Sequence, residues 1–121
     1  MEHLRRVDFA ELETIREAVE LPLLDASSGA TTCTVSCIKR PPGEGSPAGT
    51  HIHLFDQIFY ILSGRLNLEI AGCEYIAEMG TLVVIPARVP HRNWNAGTEP
   101  TIRLTFNAPL PASDEPFSRP G

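Results

Sequence analysis

Hydrophobic positions along this chain follow two periods, one after the other. Phe9, Leu12, Ile15 and Val19 recur every three or four residues, the spacing of one helix face. Asp8 precedes them with Glu11 three residues on, a capping-box-like start. Pro22 ends the run, because its ring and missing N–H stop a helix. A polar loop follows over residues 25–29. From Thr31 the texture changes to short runs rich in β-branched and apolar residues, each bounded by Gly, Pro or Asn. Strands are expected over residues 31–38, 57–62, 65–71, 75–77, 81–85 and 101–106, with a proline–glycine loop over 40–49. Short strands with turn signals between them predict an all-β sandwich or barrel behind a short N-terminal helix. The expected organisation is helix and linker over 1–30, barrel over 31–108, and a proline-rich tail over 109–121 that is extended or disordered.

Composition narrows the partners. A chain of 121 residues fits one domain and buries a core without disulfides. Its formal charge of −5 and the lack of any basic stripe argue against nucleic acid. The apolar runs are too short to cross a bilayer as helices. With no secretory signal pattern and an odd count of three cysteines, a reducing cytoplasm is expected. Cys33 and Cys37 share one strand face but are too far apart to bond easily. Cys73, after Gly72, reads as a small buried hydrophobe.

The candidate chemistry lies in the histidines. His51 and His53 flank Ile52, so an extended backbone turns both imidazoles to one face. Gln57 has the same parity. His91 stands at the end of a later strand-like segment, after Pro90. Two imidazoles from one strand and a third from a distant one can converge on a first-row metal ion. Asp56 has the opposite parity and would reach such a site only through a bulge.

The pattern around these histidines resembles the cupin superfamily. Its first motif, Gly-x5-His-x-His-x3-4-Glu-x6-Gly, is matched by Gly45, His51, His53, Gln57 and Gly64. Its second, Gly-x5-Pro-x-Gly-x2-His-x3-Asn, is matched by Gly80, Pro86, Arg88, His91 and Asn95. All spacings are kept, and the strand-like flanks extend the match to residues 31–106. The resemblance implies a double-stranded β-helix (jelly-roll) barrel, a homodimer, and a divalent metal held by His51, His53, His91 and the residue at position 57. Two positions depart from the motifs. Gln57 replaces the usual glutamate, and Arg88 the usual glycine, where a solvated turn residue is expected. Glutamine coordinates through a neutral oxygen, which disfavours Mg and favours Fe, Mn, Ni, Co, Cu or Zn. It also leaves charge for an anionic substrate to offset.

Parity with the histidines makes Phe55, Phe59 and Ile61 inward or core-facing, with plain core packing favoured for Ile61. Asn93 shares the parity of His91, and Trp94 opposes it. On the last strand either Ile102, Leu104 and Phe106 or Thr101, Arg103, Thr105 and Asn107 face the cavity, and alternation alone does not decide between them. The cavity candidates are therefore Phe55, Phe59, Asn93, Arg103 and Phe106. Arg103 would hold a substrate carboxylate or enolate if inward, and a salt bridge if outward. The resemblance implies a small-molecule dioxygenase acting on an enolisable or aromatic compound. A non-redox isomerase, decarboxylase or polyketide cyclase, or a ligand-binding cupin, is the alternative.

Overall fold

The computed structural model describes residues 3–30, 32–110 and 117–121. Two antiparallel five-stranded sheets face each other. The first carries, in spatial order, β1 (Val19–Leu24), β2 (Thr34–Arg40), β9 (Thr101–Ala108), β4 (Asp56–Ser63) and β7 (Leu82–Ile85). The second carries β10 (Arg119–Pro120), β3 (His51–Ile52), β8 (His91–Trp94), β5 (Arg65–Ile70) and β6 (Cys73–Glu78). The order is that of a double-stranded β-helix, as expected.

The barrel interior has two halves. Phe59, Ile61, Leu66, Leu68, Ala77, Val83 and Ile85 fill one end as a continuous core. Full burial of each large member stabilises the fold by about 1.5–3 kcal/mol. The other end is left open by polar inward positions and becomes a cavity of about 450 Å³. Gly45 and Gly64 stand where neighbouring backbone leaves no room for a side chain. A Cβ on Gly45 would lie 2.4 Å from the Asn93 carbonyl oxygen, and one on Gly64, at φ 75°, 2.3 Å from the Pro100 oxygen.

The N-terminus corrects the expected helix. Only one turn forms, α1 (Ala10–Thr14), with the Ala10 N–H on the Asp8 carboxylate. Residues Val19–Leu24 are instead a strand beside β2. Pro22 is tolerated because β1 is an edge strand, where a missing N–H breaks no ladder on the open side. The segment expected to be a linker therefore adds a strand to the sheet. Its helical spacing serves another purpose. Leu12, Ile15, Val19 and Leu23 pack on Cys37, Ile102 and Leu104, covering the outer face of the first sheet. Lys39 fastens this cover through its ammonium, which donates to the Leu12 and Ile15 carbonyls. The loop over 25–29 holds a 3₁₀ turn, Ala26–Ser28, capped by Asp25.

Further differences concern single residues. His91 opens β8 rather than ending a strand. Cys73 is exposed at the start of β6, not buried. In the tail, residues 111–116 lie outside the described residues, while Arg119 and Pro120 pair with Ile52 and His51. Among the described residues no helix is long and apolar enough to cross a membrane.

Candidate metal centre

The sheet register assembles the three histidines. His51 on β3 lies directly opposite His91 on β8. His53 follows two residues later, on the same side as His51 by extended-chain alternation. The ring centroids stand 4.3 Å apart for His51–His91, 4.9 Å for His51–His53 and 5.0 Å for His53–His91. One nitrogen from each ring lies within 4.8 Å of the other two. That spacing suits three ligands around a single ion with small side-chain adjustments.

Two backbone carbonyls set the tautomers. His53 Nδ1 is 2.8 Å from the Phe117 oxygen, and His91 Nδ1 is 2.9 Å from the Val89 oxygen. A carbonyl only accepts, so each Nδ1 carries the proton in the neutral ring. Each Nε2 then keeps a bare lone pair. His91 Nε2 is buried and has no hydrogen-bond partner in the fold. An orphaned buried acceptor among two other imidazoles is the arrangement a cation satisfies.

Burial also keeps the rings neutral. It pushes the His91 pKa down to about 4, against the Val89 contact that raises it and with the other two histidines lowering it further. Burial lowers His51, with His53 adding to the effect. Burial lowers His53 too, partly opposed by the Phe117 carbonyl on its Nδ1 and by the nearby Gln57 side chain. Neutral imidazole is the ligating form, so the site is prepared to bind a cation rather than a proton.

Gln57 is buried on β4 and lines the same cavity as His51 and His53. Its amide nitrogen donates to Asn107 Oδ1 at 3.0 Å, and Asn107 Nδ2 donates to Thr34 Oγ1 at 3.2 Å. In this arrangement the Gln57 nitrogen is turned to Asn107, which leaves the Gln57 oxygen for the centre. Asp56 points away: it is exposed, and its carboxylate accepts the Ala87 N–H at 2.9 Å. Arg88 is exposed, with φ 67° in the left-handed region, and its N–H donates to the His53 carbonyl at 2.8 Å. The turn geometry is that of a glycine, occupied by a longer residue.

The cavity candidates divide. Asn93 and Arg103 line the cavity. Phe55 lies behind the site and stacks on His53 at 4.7 Å and 13°. Phe59 belongs to the packed core, its ring under the Arg103 guanidinium at 4.5 Å. Phe106 is a correction. β9 turns Thr101, Arg103, Thr105 and Asn107 inward, so Phe106 joins Ile102 and Leu104 on the outer face. Trp94 also faces outward, under the Arg92 guanidinium at 4.6 Å, and Arg92 pairs with Glu69 at 3.1 Å. Asn95 is structural: its amide bonds the Arg40 and Glu99 carbonyls and the Gly97 N–H.

Phe117 escaped the sequence reading. Its ring packs on His53 and Phe55 at 5.0 and 5.1 Å, and its carbonyl holds the His53 tautomer. A backbone acceptor leaves no mark in residue type, and the proline-rich surroundings signalled only an extended arm.

Comparison with known proteins agrees with the barrel and its motifs. No curated protein matches the chain. Among solved structures it is similar to TT1209 from Thermus thermophilus, with a TM-score of 0.73 at 21% identity, covering 89% of this chain and 100% of that one. It is also similar to an RmlC-like cupin from Methanocaldococcus jannaschii, with a TM-score of 0.73 at 17% identity, covering 90% and 92%. The DMSP lyase DddQ from Ruegeria pomeroyi shares the fold at a TM-score of 0.69 and 18% identity, covering 86% and 51%. The cupin domain profile matches residues 38–106, more than half the chain and including all three histidines. Motif spacing, sheet order and profile agree, and the chain belongs to the cupin family.

Proposed function

We propose that this cupin is a metal-dependent enzyme acting on a small molecule, and that its reaction is a dioxygenation. The observation that carries the reading is the convergence of three neutral imidazoles, two with carbonyl-fixed tautomers, on the wall of a cavity. His51, His53 and His91 would hold the ion, with the Gln57 oxygen as a neutral fourth ligand. A redox-active divalent metal such as Fe, Mn, Ni, Co or Cu would supply activation of dioxygen and of an enolisable or aromatic substrate. The chain's own residues do the rest. Phe55 and Phe117 shield the His53 side of the centre from water, and Asn93 offers a side-chain amide to a bound substrate.

The choice of reaction class rests on what else lines the cavity. Among the described lining residues Glu20 is the one carboxylate, and it is exposed. Apart from the histidines, little there can move a proton near neutral pH, which favours chemistry that needs no protein base. The second reading is a non-redox lyase or isomerase using Zn. Two fold neighbours support it: the DMSP lyase, and a putative sugar phosphate isomerase from Acidithiobacillus ferrooxidans, 22% identical at a TM-score of 0.69.

The test is elemental analysis of the purified protein, followed by oxygen uptake with β-diketones, flavonols and catechols after loading each metal. Oxygen consumption that disappears in His51→Ala supports the dioxygenase. Metal retention without oxygen uptake under any redox metal moves the assignment to the non-redox reading. Unchanged metal content in His51→Ala overturns the centre itself. We further propose that two copies pair. Pairing would cover the exposed apolar residues Ile76, Leu82 and Val84 on edge strands β6 and β7. Sedimentation of Leu82→Glu against the parent chain tests it.

A further inference from the structure

Arg103 is a cavity residue whose burial the centre does not explain. It is 4% exposed, near the middle of β9, and lines the cavity. Its Nε and Nη1 are buried without a hydrogen-bond partner, and its guanidinium makes no ion pair among the described residues. Phe59 supports it from below through its ring face. A buried guanidinium without a counter-ion is strongly disfavoured, so an anion would satisfy it. The groups around it point the same way. Thr105, two residues along β9, also has a buried hydroxyl without a partner. Ser36 pairs with Thr105 across the sheet and lines the same cavity. Arg40 and Arg119 add positive charge to the lining, and exposed Glu20 is the one described residue opposing them. Burial, with Arg40 nearby, pulls the Arg103 pKa down to about 9, which leaves it charged at neutral pH. A chain of net charge −5 has thus built a cationic chamber.

We infer that Arg103 and Thr105 form a carboxylate-binding subsite, and that the substrate is an elongated small acid. Its carboxylate would sit on Arg103 while its other end reaches the histidines. The register sets the spacing. Gln57 lies opposite Asn107 and Ile61 opposite Arg103, so the two ends are four residues apart along the strands. Four residues of strand span about 13 Å of backbone. A cavity of about 450 Å³ admits one such molecule. The substrate role rests on the enzyme reading above. The subsite itself does not, because its residues are present whether or not a metal is bound.

The experiment uses glutarate as probe, with neutral glutaramide as control and inorganic phosphate as a second anion. Binding is followed by calorimetry on the protein as purified and after chelation. Glutarate should bind the chelated protein, and glutaramide should not. Arg103→Met should weaken glutarate by about tenfold to a hundredfold, the range for losing a bidentate charge-assisted pair. Thr105→Val should weaken it less. Phosphate binding tighter than glutarate, unchanged glutarate affinity in Arg103→Met, or equal binding of glutaramide overturns the proposal. If Arg103→Met does not fold, the Arg103 Nε–H resonance of the parent chain answers the same question. It must shift on glutarate titration, and a resonance that stays fixed at saturation overturns the proposal. Loss of metal with retained glutarate binding would count against the enzyme reading and not against this one.

Discussion

His91 makes a defined contribution to the acid response of the metal-free protein. His91 is 1% exposed, and burial holds its pKa down to about 4 instead of 6.5. Above pH 6.5 both folded and unfolded chains carry a neutral ring there, and stability is at its full value. As pH falls below 6.5 the unfolded chain takes up a proton that the folded one refuses. Stability then falls with a slope of about 1.4 kcal/mol per pH unit, levelling off once the folded ring also protonates near pH 4. The total from His91 is about 3 kcal/mol, with about 2 kcal/mol already lost at pH 5. His51 and His53 are lowered as well and act in the same direction. The assay is urea unfolding in chelator at a series of pH values, for the parent chain and for His91→Gln. Taking the difference between the two cancels the carboxylates that every folded protein titrates in this range. The parent should lose about 2 kcal/mol more than the variant between pH 7 and pH 5. Parallel curves would refute the reasoning, for they would mean that His91 accepts a proton as easily in the fold as out of it. Adding zinc should raise the parent curve at pH 7 and steepen its acid limb, because protons then displace metal as well.

The remaining predictions concern the parts that hold the centre. Gln57→Glu should bind a divalent ion at least about tenfold tighter, measured by competition with a chromophoric chelator. Without metal the same variant should be about 2 kcal/mol less stable, because it buries a carboxyl against the Asn107 oxygen that Gln57 now satisfies. Arg88→Gly should raise stability by about 1 kcal/mol, seen as a Tm rise of about 4 °C, since the φ of 67° then suits its residue. Removing residues 117–121 takes away the carbonyl that holds His53 Nδ1. It should weaken metal binding by about tenfold to a hundredfold without unfolding the barrel, a result that calorimetry and circular dichroism together would check.

Parity and motif spacing made the centre legible in the sequence, because both depend on strand geometry alone. A histidine pair two apart shares a face in any extended segment, and the partner strand needs only the right register. What stayed hidden depends on the other side of the sheet. Val19–Leu24 kept a helical spacing because it packs as a cover as well as a strand, and Pro22 read as a stop because edge position is a property of topology. Residues 101–107 alternate cleanly, yet alternation names the inward face only when one side is wet. Here the N-terminal segment covers Ile102 and Leu104, so apolar residues lie outward and polar ones line the cavity. Phe106 lies outward for that reason. The same inversion makes Arg103 informative, since a charged residue mid-strand looks ordinary until its outward alternative is shown to be occupied.

Gln57 and Arg103 are two expressions of one electrostatic choice. A glutamate at position 57 would take one unit from the charge of a bound divalent ion, and a neutral amide leaves it in place. Arg103 adds a further positive charge at the far end of the same cavity, and the described lining returns only the exposed carboxylate of Glu20. The two positions are about 13 Å apart along the strands, and unit charges at that distance interact by about 1.3 kcal/mol at an effective dielectric near 20. A negative charge at position 57 should therefore be felt at the Arg103 subsite without touching it. Gln57→Glu, loaded with zinc so that the new carboxylate is ionised, should bind glutarate about ninefold more weakly than the zinc-loaded parent. Calorimetry in low and high salt separates this effect from a change of shape, because a field acting through an open cavity is screened and a steric change is not. Equal glutarate affinity in the two proteins would mean that the amide at position 57 serves the metal alone and that the charge of the chamber is set by its arginines.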